Sequence, residues 1–296
     1  MKVFLTGGTG YVGSHVLQAL LDAGHEVVAL VRPGSESDLP VAENTVDIVP
    51  GDALVKESYV HALEDCEAII HLIGIIREFP QRGITFEKLH VDATRNILDA
   101  AREHGISRFI HMSALGAKSD SKSGYFKTKA RAEAQVEESG MDYTIIRPSI
   151  IFGPDDDFIN YFVGMMKSFH VIPIIGDGRY RMQPVYVNDV SQAFVRSLQT
   201  SASVGKTYEV AGPTQYIYKE MIKIVRSTIN TWALIIHPPK TLMTLLAKMF
   251  QYFAFFPVTE AQIIMLYDEN ITDDDRWKDD LNIAPKNFEK TIAEYL

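Results

Sequence analysis

Eight residues, Thr6-Gly7-Gly8-Thr9-Gly10-Tyr11-Val12-Gly13, join a short apolar run, Lys2–Thr6, directly to a stretch with helical spacing, Tyr11–Ala23. That junction narrows the possible folds more than any other feature of the chain. Gly7 allows a tight turn, Gly10 lets backbone approach a bound group with no Cβ in the way, and Gly13 lets the helix close against its strand. The amides at the start of the helix then face outward and form a seat for a diphosphate. A glycine-rich turn with no ligand is the alternative reading of the same residues.

The rest of the first half repeats the strand-then-helix alternation. Glu26–Val31, Val46–Pro50, Ala68–Ile73, Arg108–Met112 and Tyr143–Arg147 are short, rich in Val and Ile, and apolar without polar alternation, as strands buried on both faces are. Ser58–Glu64, Phe86–His104 and Gly124–Ser139 carry apolar residues at helical spacing, and Gly24, Gly105 and Gly140 end helices. This order predicts an α/β fold, a Rossmann-type doubly wound parallel sheet with helices on both faces. After Gly153-Pro154 the pattern changes to a helix at 158–169, a strand and helix at 184–187 and 189–199, a strand at 207–210, and mostly helix from 214, with an extended stretch at 232–237. The expected division is a nucleotide-binding domain of residues 1–155 to which 184–212 return, and a smaller, mostly helical C-terminal domain of 156–183 and 213–296 for substrate or partner.

Composition excludes several alternatives. There are 29 basic against 38 acidic residues, a net charge of −9, so the basic footprint of a dedicated nucleic-acid binder is missing and no nucleic-acid partner is expected. The single cysteine, Cys66, cannot form an internal disulfide. No signal peptide or uninterrupted apolar run of membrane-spanning length stands out, which predicts a cytoplasmic protein, in contact with a membrane at most peripherally.

The second strand ends Val31-Arg32-Pro33, with no carboxylate before Glu36. NAD-specific folds place an acid on the adenosine ribose roughly 20 residues beyond the glycine turn. Arg32 can instead pair with a 2′-phosphate, with Ser35 or Ser37 adding hydroxyls, which predicts NADP(H), with NADPH preferred over NADH. A surface arginine at a strand end is the plainer reading. Asp52, with Ala53 beside it, is placed to accept from an adenine amino group or, alternatively, to cap its own loop. His71-Leu72-Ile73-Gly74 closes the fourth strand where a small residue lets backbone approach a ribose.

Ser113 ends the fifth strand, and Tyr125 and Lys129 follow at i, i+4 on one helical face. An ammonium near a phenol stabilises tyrosinate, so Tyr125 is the candidate proton donor or acceptor at a carbonyl or alcohol. Ser113 would hydrogen-bond the same oxygen, and Lys129 would also hold nicotinamide-ribose hydroxyls. A purely structural tyrosine is the alternative. No metal-ligand spacing is present, His71 and His111 read as packed strand residues, and the acidic run 273–275 and 279–280 around Trp277 reads as a solvated face or helix caps rather than a metal site.

Together these residues resemble the short-chain dehydrogenase/reductase superfamily in its extended or atypical branch. The resemblance runs through TGGTGYVG, the Asp52 turn, Ser113, the Tyr125/Lys129 pair, Arg147-Pro148-Ser149 and Val187-Asn188-Asp189-Val190. A narrower resemblance, carried by residues 81–86, HMSALGA at 111–117, and Ile151-Phe152-Gly153-Pro154, is to bacterial relatives of the thirty-nine-kilodalton accessory subunit of respiratory complex I. It implies tight NADP(H) binding, a mainly structural role and no established substrate. The resemblance also implies cofactor contacts at Gly7, Gly10, Tyr11, Val12, Arg32, Asp52, Lys129 and Pro148, and the candidate cofactor site further includes Thr9, Ala53, Leu72, Ile73, Gly74 and Ser149. Retention of Ser113, Tyr125 and Lys129 keeps two functions open: an oxidoreductase on an unidentified small molecule, a carbonyl, alcohol or quinone-related compound, and a non-catalytic NADP(H)-binding accessory or assembly protein. The short Ser113-to-Tyr125 interval argues against a sugar-nucleotide epimerase.

Residues 241–258 form the most apolar stretch, with Leu242, Leu245, Leu246, Met249 and Phe253 on one helical face. Four roles fit: a core helix of the small domain, a substrate lid, a protein-docking surface, or a helix lying on a membrane surface.

Overall fold

The computed structural model describes residues 1–40, 45–253 and 256–296. Its larger unit consists of Met1–Pro148, Val187–Val210 and Asp274–Ala284. In chain order its opening elements are β1 (Lys2–Thr6), α1 (Tyr11–Asp22), β2 (Glu26–Val31), β3 (Asp47–Pro50), β4 (Ala68–His71), α2 (Ala93–Glu103), β5 (Arg108–Met112), α3 (Gly124–Glu137) and β6 (Asp142–Pro148). A seventh strand, Lys206–Val210, adds beside β6, and the sheet order is Lys206–Val210, β6, β5, β4, β1, β2, β3. Every neighbour is parallel. The direction of winding reverses between β1 and β4, and open α/β sheets bind ligands beyond the carboxyl ends of the strands at such a point.

The apolar runs are strands because both faces of the sheet are covered. Phe4, Val28, Ile69, Phe109 and Ile145 pack with Ala93, Ile97, Ala101 and Val136 of α2 and α3 in one buried cluster. On the other face α1 packs along the helix Val187–Gln199. Arg108 stitches the late segment to the sheet. Its guanidinium donates to the carbonyls of Asp142 and Ser197 and to the hydroxyls of Thr144 and Ser203.

Three expectations change. The helix expected over Ser58–Glu64 is two short 3-10 turns, Lys56–Ser58 and Val60–Leu63. Tyr59 breaks them apart because its ring is drawn fully into the core, where it stacks on Phe4 at 5.9 Å. The helix expected over Phe86–His104 opens as a π-helical turn, Glu87–Asp92, before α2 begins. The acidic stretch assigned to the smaller domain sends Asp274–Ala284 into the larger unit. Trp277 is fully buried there, Tyr208 Oη donates to Asp280 Oδ2 at 2.8 Å, and Arg196 donates to the carbonyls of Leu281 and Asn282.

The smaller unit is Ser149–Tyr186, Ala211–Asp273 and Pro285–Leu296. It pairs very short strands: Ile151–Phe152 with Val185–Tyr186, Val171–Pro173 with Leu234–Ile236, and Arg181–Met182 with Tyr216–Ile217. Its helices are Ile159–Phe169, Tyr218–Thr228, Lys240–Phe250, Glu260–Tyr267 and Phe288–Tyr295. Helix Lys240–Phe250 buries Ala247 alone, so over these residues the core-helix reading does not hold. Leu242, Leu245, Met249, Tyr252 and Phe253 are exposed. Ala254 and Phe255 of that stretch lie outside the described residues. Among the described residues no helix is long and apolar enough to cross a membrane.

Candidate functional site

The glycine turn has the geometry its residues imply. Gly7 adopts φ +79°, and Gly10 N–H closes the turn on Gly7 O at 3.1 Å. Gly10 is the N-cap of α1 and brings no capping side chain, so the helix start is bare backbone. A Cβ at Gly13 would lie 2.0 Å from Gly7 O, and one at Gly7 would lie 3.1 Å from the backbone of Leu72 and Ile73. Both glycines therefore let three backbone segments converge where β1 and β4 end. Thr9, Tyr11 and Val12 are half-buried around the turn, and Gly10 is exposed.

Beyond β2, the Arg32 side chain stands exposed. Its carbonyl accepts from Ser35 N–H at 3.0 Å, while Glu36 is engaged by Gly34 N–H at 2.8 Å. Asp52 Oδ1 accepts from Leu54 N–H at 2.9 Å, so this carboxylate shapes its own loop as well as standing at the strand end. Ala53 is buried and its carbonyl is held by Asn96. Leu72 is buried, Ile73 half-buried and Gly74 exposed.

Lys129 reaches from α3 to this strand-end region. Its ammonium donates to Met112 O at 2.9 Å, and a Cβ at Gly74 would sit 3.0 Å from its Nζ. Burial lowers the Lys129 pKa from 10.5 to about 8, with Glu133 opposing the shift. Glu133 is itself clamped by Arg147, which donates Nε and one terminal N–H at 2.7 and 2.6 Å. Ser113, next after Met112, is buried, and its Oγ has no hydrogen-bond partner. Tyr125 is buried against Phe86, His90 and Phe126, with its ring edge-on to each. Its phenol is pushed up to about 12 by burial alone. Burial therefore moves the Tyr125 phenol in the direction opposite to the one expected from the ammonium at i+4.

Pro148 closes β6, and its carbonyl accepts from Leu115 N–H at 2.9 Å. Ser149 belongs to the smaller unit, where its hydroxyl donates to Gln183 O.

A buried polar track beneath the site was not read from the sequence. Thr6, His71 and His111 are register partners at the ends of β1, β4 and β5, and the two imidazoles stack at 5.5 Å. Thr94 Oγ1 donates to His90 O at 2.6 Å and so accepts from His71 Nε2–H at 3.1 Å, which leaves His71 Nδ1 to accept from Thr6 Oγ1–H at 2.7 Å. His90 lies in the π-helical turn. Its Nδ1 meets Thr128 Oγ1 at 2.8 Å and its Nε2 lies 3.1 Å from the Ile75 amide nitrogen. His90 thus joins the loop after β4 to the helix that carries Tyr125. Burial and the Lys129 charge hold His71 down at about 3, His90 at about 2 and His111 far below the usual histidine value. The available signal was His90 and Thr94 at i, i+4 on the face that continues with Ile97 and Leu98. No group of metal-ligating side chains is assembled among the described residues.

A bare helix start, glycines that a Cβ would block, and an unpartnered buried hydroxyl near a lysine fit a dinucleotide across the carboxyl ends of β1 and β4. The fold and this arrangement define a Rossmann-type protein of the short-chain dehydrogenase/reductase class. The chain belongs to the NAD dependent epimerase/dehydratase family, whose pattern it matches over residues 3–211. It is 30% identical over 306 residues to the mitochondrial NADH dehydrogenase (ubiquinone) 1 alpha subcomplex subunit 9 of Arabidopsis thaliana, covering 98% of this chain and 76% of that protein. This bears out the resemblance to complex I accessory subunits. A ceramide reductase of Caulobacter vibrioides is 29% identical over 202 residues, covering 67% of this chain and 61% of that one. The UDP-glucose 4-epimerase of Thermotoga maritima superposes with a TM-score of 0.79 at 19% identity, covering 100% of this chain and 98% of that one, a likeness of fold alone.

Proposed function

We propose that this chain is an NADP(H)-binding reductase-like protein of the cytoplasm that acts on a carbonyl of an apolar or quinone-related molecule. The observation that carries the reading is the grouping of Ser113, Tyr125 and Lys129. A buried hydroxyl without a partner, a buried phenol and a buried ammonium stand on adjoining elements of one unit. NADPH, when bound, supplies the hydride. The turn Gly7–Gly13 holds the diphosphate, Arg32 the 2′-phosphate, Asp52 and Ala53 the adenine, and Leu72–Gly74 with Pro148 the nicotinamide half. Ser113 Oγ–H and Tyr125 Oη–H donate to the substrate oxygen, and Tyr125 passes it a proton. The protonated phenol is the form that donates in carbonyl reduction. Lys129 holds ribose hydroxyls and a positive charge near the tyrosinate that forms.

A second reading has a specific observation in its favour. Relatives that match 98% of this chain carry the names of complex I subunits, and one of them is the mouse protein at 29% identity. In that reading NADP(H) is a structural ligand and the exposed stripe of helix Lys240–Phe250 faces a partner.

Two measurements decide. Nucleotide released from the purified protein is identified, and NADPH oxidation is followed against a panel of carbonyls and quinones. Turnover that Tyr125→Phe abolishes supports the reductase; NADP(H) bound with no turnover supports the structural ligand. Turnover indifferent to Tyr125→Phe would falsify the assigned proton donor.

A further inference from the structure

The smaller unit holds an open cavity of 520 Å³ lined by Gly176, Asp177, Arg179, Lys219, His237 and Pro239. Its floor is a loop that only glycine permits. Gly176 and Gly178 have φ of +70° and +66°, a Cβ at Gly176 would lie 2.0 Å from Tyr267 Oη, and one at Gly178 would lie 2.7 Å from Ile174. Backbone bonds fix the walls: Gly176 N–H donates to Pro238 O at 2.9 Å and Lys219 N–H to Gly178 O at 3.1 Å. His237 Nδ1–H donates to Gly176 O at 2.9 Å, which leaves Nε2 as its other polar atom. Lys240 adds a further cation close by, its Nζ 3.6 Å above the ring of Tyr267.

The charge here runs against that of the chain. Asp177 is the one acid of the lining; its Oδ1 accepts from Arg179 N–H at 3.0 Å and its Oδ2 lies 3.9 Å from Arg179 Nε, a loose exposed ion pair, so Arg179, Lys219 and the adjacent Lys240 together outnumber it. The nearby carboxylates of Glu220, Glu260 and Glu269 are each paired, with Lys223, Lys248 and Arg181. A net charge of −9 therefore coexists with a local basic recess.

Pro239, on the cavity wall, is also the residue from which helix Lys240–Phe250 starts. Along that helix Leu242, Leu245 and Met249 fall at i, i+3, i+7 and face outward, with Leu245 57% and Met249 60% exposed, followed by exposed Tyr252 and Phe253. A basic recess that opens at the start of an apolar ridge about 16 Å long matches an amphiphile with an anionic head.

We propose that the smaller unit docks on anionic lipid bilayers. The cavity takes the phosphate of a lipid headgroup on Arg179, Lys219 and His237, and the ridge Leu242–Phe253 enters the interface. The proposal rests on the reading of this ridge as a docking face and is independent of the nucleotide reading. A protein partner would account for the ridge but leaves the recess without a role.

The test is flotation of the full-length protein with vesicles of phosphatidylcholine alone and of phosphatidylcholine mixed with phosphatidylglycerol. Binding to the mixed vesicles alone is expected, weakening as salt rises. Arg179→Ala with Lys219→Ala should weaken it roughly 30-fold, since each surface cation contributes a few-fold. Leu245→Ser with Met249→Ser should abolish retention on the mixed vesicles. Released nucleotide should be unchanged in both variants, which separates this outcome from the cofactor reading and shows that they fold. Equal binding to both vesicle types, no binding, or indifference to the Arg179/Lys219 pair overturns the proposal. So does inorganic phosphate binding that depends on Arg179 in a protein that ignores vesicles, which would mark the recess as a site for the free anion.

Discussion

Lys129 Nζ donates to the main-chain carbonyl of Met112 at 2.9 Å, one residue before the unpartnered hydroxyl of Ser113. A buried ammonium thus sits on the strand end that also carries a candidate substrate contact. The fold accepts a cost for this, because burial drops the lysine pKa to about 8.

That cost has a pH signature. The folded protein releases the Lys129 proton near pH 8, while the unfolded chain keeps it until about 10.5. The unfolded state binds more protons across that window, so stability should rise with pH from about 8 to about 10.5. The gain should be on the order of 3 kcal/mol relative to Lys129→Met, which has no such proton to lose. Denaturant melts of both proteins across the window check this; parallel curves would refute it. Nucleotide binding near pH 8 should take up protons, seen by calorimetry in buffers of different ionisation enthalpy.

Acid should have the opposite effect through the histidines. His71, His90 and His111 stay neutral in the fold far below the ordinary 6.5, whereas the unfolded chain protonates them there. Stability should therefore fall as pH drops below about 6.5, with a slope approaching about 4 kcal/mol per pH unit near pH 5 from these three groups. His111→Phe removes a side chain whose two ring nitrogens have no partner. It should leave stability at pH 7 within about 1 kcal/mol of the parent and lower the acid slope by one proton. A slope unchanged in this variant would assign acid lability to other groups.

The glycine turn can be tested against an internal control. Gly13→Ala places a methyl 2.0 Å from Gly7 O and should cost more than about 3 kcal/mol. Gly164→Ala, on the exposed side of helix Ile159–Phe169 with nothing within 4 Å of the new methyl, should stabilise by about 1 kcal/mol. Chemical denaturation of the two variants reads both signs.

Arg32 decides between cofactors. With the side chain exposed at the end of β2, Arg32→Ala should weaken NADPH binding roughly 10- to 100-fold and leave NADH binding unchanged. Fluorescence titration with both nucleotides shows it, and equal losses for both would remove Arg32 from 2′-phosphate recognition.

The strands from β1 to β6 were legible to within a residue or two, because a doubly covered parallel sheet writes continuous Val/Ile runs into the sequence. The glycine turn was equally legible, since its spacing is a steric requirement. Pairs such as Arg181–Met182 with Tyr216–Ile217 were not, because two residues carry no period. Trp277 was hidden by the acids around it: a charge run reads as surface, yet Asp280 is there to accept from Tyr208. The track from Thr6 to Thr128 escaped because its partners meet only when β1, β4, α2 and α3 pack together. The proton affinity of Tyr125 was misjudged for a related reason, since spacing shows a neighbouring charge but not the water lost around the phenol.

The stitching by Arg108 bears on how the chain is made. As it leaves the ribosome, β6 is complete at Pro148, but its outer edge and the guanidinium of Arg108 must wait for partners near Ser197, Ser203 and Lys206. Until then the growing protein carries an open strand edge and a buried-to-be cation in water, the state most exposed to mispairing and to capture by chaperones.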